Sequence, residues 1–85
     1  MVPDVSAAEA KFVQTELEIG LVFAHIAASA KYPDKLDRNR ANARKAYDTA
    51  QGYMQKLTFT PETSSQLHKL LERLRNQLAD LGDSV

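Results

Sequence analysis

Between residues 6 and 30 apolar side chains recur around nearly the whole helical circumference. Lys11, Gln14, Glu18, His25 and Ser29 share one polar stripe, while Phe12, Val13, Leu17, Ile19, Leu21, Phe23, Ala24, Ile26 and Ala27 occupy the remaining sectors. The spacing predicts a helix over 6–30. Ser6 followed by Glu9 has capping-box spacing, and Val5 with Ala10 is placed as the accompanying hydrophobic staple.

Tyr32-Pro33-Asp34 interrupts this pattern, because proline disfavours helix in the residue before it and Asp34 is suited to cap the next helix. A second helix is predicted over 35–57, with Leu36, Ala43, Tyr47, Ala50, Met54 and Leu57 on one narrow face and Arg40 at its edge. Thr58-Phe59-Thr60-Pro61 then reads as a stop and restart: Thr60 is the N-cap, Pro61 the first helical residue, and Glu62 sits near the positive helix end. The third helix, 61–81, carries Leu67, Leu70, Leu71, Leu74, Leu78 and Leu81 as a stripe and ends at Gly82.

Both links are short, so consecutive helices are expected to be antiparallel neighbours in an all-α, up-down-up three-helix bundle. No segment alternates apolar and polar residues long enough for a half-buried strand. A chain of 85 residues suits one domain. Residues 1–4 and 83–85 are expected to fray.

Composition narrows the chemistry. Eleven Lys plus Arg balance eleven Asp plus Glu, which removes any global attraction to nucleic acid or anionic lipid. Cysteine is absent, so thiolate metal sites and thiol nucleophiles are excluded. The beginning, Met1-Val2-Pro3-Asp4-Val5-Ser6, lacks the order of a secretory signal, and the uncharged run Ile19 to Ala30 is too short to cross a bilayer, so a cytoplasmic protein is expected. His25 and His68 each lack a second histidine at helical spacing, Ser64-Ser65 suits a helix start, and the glycines are isolated. The expectation is a protein without catalytic residues, cofactor, metal or small-molecule substrate. Gly20 and Gly52 fall inside predicted helices, and Gly20 suggests close approach of a backbone or of a ring such as Tyr47.

Two features point to binding. Helix one presents roughly twice the apolar arc that a bundle helix needs, with Phe12, Ile19, Phe23 and Ile26 on one flank and Val13, Leu17, Leu21, Ala24 and Ala28 on the other. One flank is expected to lack a partner within the chain and to serve self-association or capture of a partner helix. The expected partner-binding residues are Phe12, Val13, Glu16, Leu17, Leu21, Ala24 and Ala28; Glu16 is a carboxylate inside the apolar arc, suited to bond Tyr47 or Arg44 or to join an interface patch. The second feature is a local excess of four basic charges between Lys31 and Lys45. Lys35, Arg38, Arg44 and Lys45 form an alternative anion or nucleic-acid contact, weakened by their division between two sides of the helix and by the scarcity of aromatic platforms.

Ile19-Gly20-x-x-Phe23, followed by Ala43-x-x-x-Tyr47-x-x-Ala50, resembles the small-and-aromatic pattern of a tetratricopeptide helical hairpin. Glu16 departs from that pattern where a large apolar residue is usual, the link between the half-motifs is too long, and the closing proline is absent. The elongated hairpin with a third helix is also similar in architecture to microtubule-interacting-and-trafficking domains. Either resemblance implies peptide or helix binding in an interhelical groove, without catalysis.

Overall fold

The computed structural model describes residues 7–85. Three helices make up the fold: α1 (Ala7–Ala28), α2 (Pro33–Lys56) and α3 (Pro61–Asp80). They pack as the expected all-α, up-down-up bundle. Among the described residues there is no strand, and no helix is long and apolar enough to cross a membrane. The proposed Ser6 cap, the Val5 staple and residues 1–4 lie outside the described residues.

Local chemistry explains the helix ends. At the end of α1 the Ser29 hydroxyl donates back to the carbonyls of His25 (3.1 Å) and Ile26 (3.3 Å); the former also accepts the Ser29 N–H at 3.2 Å, and the latter is an acceptor the ending helix leaves open. Helix α2 starts two residues earlier than the pattern predicts. Pro33 occupies its first turn, where the missing N–H costs nothing, and the extended Tyr32 (φ −115°, ψ 139°) stands at the N-cap without a side-chain cap bond. Asp34 is therefore not the cap but a first-turn acid, favourable to the helix dipole. In α3 the expected cap is present: Thr60 Oγ1 accepts from the Thr63 N–H at 3.3 Å, with Pro61 at the next position.

The far end of α3 closes in a Schellman turn. Asp83 N–H donates to Leu78 O at 3.0 Å and Gly82 N–H to Ala79 O at 2.9 Å, with Gly82 at φ 87°, a conformation that suits a residue without Cβ.

Core packing divides by residue size. Helix α1 buries Val13, Leu17, Gly20, Ala24 and Ala27, a seam at alternating spacings of four and three, and α2 buries Ala43, Ala46, Tyr47 and Ala50. Small residues on both helices let their backbones come close, and the leucines of α3, Leu67, Leu74 and Leu78, fill the remaining volume. All three helices meet at Gly20. A Cβ built there would lie 2.6 Å from Leu74 Cδ2 and 3.1 Å from Ala46 Cβ, so α3 and not the Tyr47 ring occupies the space the glycine leaves. Asn39, the one buried polar side chain among the described residues, donates to Lys35 O at 2.8 Å.

Candidate functional site

The seam that α1 buries fixes what it leaves outside. Val13, Leu17 and Ala24 sit at the centre of the apolar arc, and the other two helices cover them completely. These three expected partner-binding residues are core residues and are not part of a docking surface. Leu21 is partly buried and packs against the same core. Ala28 is exposed, in a shallow depression between the end of α1 and Gln77 and Asp80 of α3, with Leu81 just after it. Of the seven, Phe12 alone is a large side chain on the open face.

That open face lies on the opposite flank. Ala8, Phe12, Thr15, Ile19, Val22 and Ile26 recur at spacings of four, three, four, three and four, a second heptad-like seam turned away from the core, and none of them is charged. Phe12 and Ile19 are each 42% exposed and Val22 58%. Tyr53 of α2, 43% exposed, extends the face sideways: its ring meets Phe12 edge-on at a centroid distance of 5.1 Å. With Ala8 and Glu9 this aromatic pair walls an open depression of about 230 Å³. Val22 and Tyr53 add exposed apolar area to the face that carries Phe12 and Ile19, and neither is singled out by the sequence pattern. The signal for Val22 is present in the four-three spacing, whereas Tyr53 joins only through the pairing of α1 with α2.

Glu16 stands at the border of this face. It is half-buried and lines a groove between α1 and α2 with Ile19, Phe23, Asn42, Lys45, Ala46 and Thr49. The expected partners are elsewhere, because Tyr47 is in the core and Arg44 points to the other side of α2.

The basic segment is also redistributed. Arg44 Nη1 donates to Asp83 Oδ1 at 2.6 Å and to Ser84 O at 3.1 Å, while its Nε donates to Asp48 Oδ1 at 3.0 Å. These bonds, Asp48 first and Asp83 second, hold its guanidinium pKa above the ordinary arginine value. One turn earlier Arg40 Nη1 donates to Leu81 O at 3.0 Å. Two arginines of α2 thus grip the turn after α3, and Asp83, with 16% of its side chain exposed, is enclosed there. Val85 packs against the core cluster. Residues 83–85, expected to fray, have these contacts because the Schellman turn directs them back along α2. Arg44 is therefore removed from the alternative anion site, leaving Lys35, Arg38 and Lys45 as exposed cations spread along α2.

Elsewhere the chemistry is local. His68 Nδ1 lies 2.8 Å from Ser64 O and 3.3 Å from Ser64 Oγ. A carbonyl oxygen only accepts, so the shorter contact requires the proton on Nδ1, and that nitrogen has no lone pair with which to activate the serine. Among the described residues no cluster of three His, Asp or Glu is arranged to hold a metal ion.

Searches against family models, curated proteins and solved structures give no match to this chain.

Proposed function

We propose that this chain is a non-catalytic helical interaction module whose docking surface is the outward seam of α1, flanked by Tyr53. One observation carries the reading: Phe12, Ile19 and Val22, three of the five large apolar side chains left exposed among the described residues, lie on one face of one helix, and a fourth, Tyr53, touches it. Scattered exposed hydrophobics are ordinary, whereas a contiguous uncharged row at helical spacing is the form a partner helix recognises. The implication of the tetratricopeptide-like pattern agrees in kind, although Gly20 here receives Leu74 of the same chain.

The test is affinity capture from the native cell with the wild-type chain and a Val22→Glu variant. Proteins retained by the first and lost with the second are the expected result. Identical capture by both, together with a purified protein that is monomeric with or without the substitution, would remove this surface from consideration.

A further inference from the structure

We infer that the occupant of the outward seam of α1 is α1 of a second copy of this chain, running parallel; this rests on the seam being the docking surface and adds what fills it. Area alone does not decide the matter. The exposed parts of Phe12, Ile19, Val22 and Tyr53 total on the order of 400 Å², within the range of the largest patch on an ordinary monomer. A standard interface buries on the order of 800 Å² per partner, a little over half of it apolar, so the patch matches the apolar share of one such contact.

Register and charge choose the partner and its direction. In heptad terms Phe12, Ile19 and Ile26 take the a positions, and Ala8, Thr15 and Val22 the d positions. Large residues at a alternate with smaller ones at d, so each protruding side chain has a shallower layer on either side to receive it. The flanking positions are Lys11, Glu18 and His25 on one edge and Glu9, Glu16 and Phe23 on the other. When two copies run parallel, each edge faces the other edge of its partner five residues further on. Lys11 then meets Glu16 of the second copy, twice by symmetry, and Glu18 lays its methylenes along Phe23 of the second copy. Antiparallel copies in the same layering place each edge against itself. Glu16 would face Glu16 and Glu18 would face Glu18, two like-charge contacts with no compensating pair. Among the described residues neither Lys11 nor Glu16 forms an ion pair, so both are available to the parallel arrangement.

The absence of cysteine allows direct geometry. The full chain carrying Val22→Cys as its sole thiol is brought to sedimentation equilibrium under reducing conditions and then oxidised. Parallel pairing predicts a particle of two 9.5 kDa chains and rapid disulfide formation between the two introduced thiols. Lys11→Glu should weaken the dimer several-fold, and Lys11→Glu with Glu16→Lys should restore it. Because Lys11 is exposed and Glu16 is half-buried in an open groove outside the core, these variants are expected to fold as the wild type does, which far-ultraviolet circular dichroism verifies. Cross-linking confined to a mixture of Phe12→Cys and Val22→Cys chains would show antiparallel pairing and overturn the inference while leaving the seam as an interface. A monomer at every concentration would overturn self-pairing outright; capture that still depends on Val22 would then keep the docking surface and assign it to a different protein.

Discussion

Gly20 and Gly52 are both mid-helix glycines, yet their surroundings predict opposite responses to alanine. At Gly20 the added methyl would meet Leu74 at 2.6 Å, and although a leucine tip is flexible, Leu74 is fully enclosed and Ala46 beyond it moves only with its backbone. Gly20→Ala is expected to cost about 1–3 kcal/mol through overpacking, exceeding the gain of about 1 kcal/mol in helix propensity. At Gly52 a Cβ would meet nothing within 4 Å, so Gly52→Ala should stabilise by about 0.5–1 kcal/mol. Urea denaturation of the two variants checks both signs; destabilisation by Gly52→Ala would mean that its surroundings are closer than described. The sequence shows that Gly20 marks a close approach but not what approaches. A helical wheel ranks directions around one axis and carries no information on which neighbour supplies the side chain, so Tyr47 and Leu74 are equal candidates until α3 is placed.

Among the elements, the helices are legible because their punctuation is chemical and local: Thr60 stands before Pro61 and Gly82 after the last leucine, while Pro33, read as a break, places the start of α2 to within two residues. The choice between the two flanks of α1 is not local. Two seams with the same four-three spacing lie about 140° apart on this helix at about 100° per residue, and periodicity weights them equally. Which one is buried depends on the side from which α3 closes over the α1–α2 hairpin, and that is a property of the assembled bundle. The segment after α3 is hidden for a related reason. Arg40 and Arg44 are one turn apart on α2, but their acceptors, Leu81 and Asp83, lie about forty residues further along. Replacing Asp83 with alanine is predicted to release this segment without disturbing the helices. Amide exchange at Gly82 and residue 83, whose N–H groups donate to Ala79 O and Leu78 O, should accelerate while exchange within α1 and the middle of α3 stays unchanged; protection that survives the substitution would show that the Schellman turn and Val85 hold the segment without the arginines.

At the scale of the whole molecule, three helices enclose one core and leave one row of α1 outside it. The balanced net charge neither drives nor opposes meeting of two copies at long range, so the proposed association would depend on the apolar row and its charged edges. Binding that involves the folded state alone also stabilises it by mass action, so a self-associating chain should unfold at a higher temperature as its concentration rises. A substitution such as Val22→Glu would abolish that dependence while leaving the dilute protein as stable as before, because the residue is already 58% exposed. Sedimentation equilibrium of the wild type and of Val22→Glu across a wide concentration range tests the role of this face most directly. The proposed self-pairing predicts a reversible two-chain particle for the wild type and a single chain for the variant; one chain at all concentrations in both, or two chains in both, would contradict it.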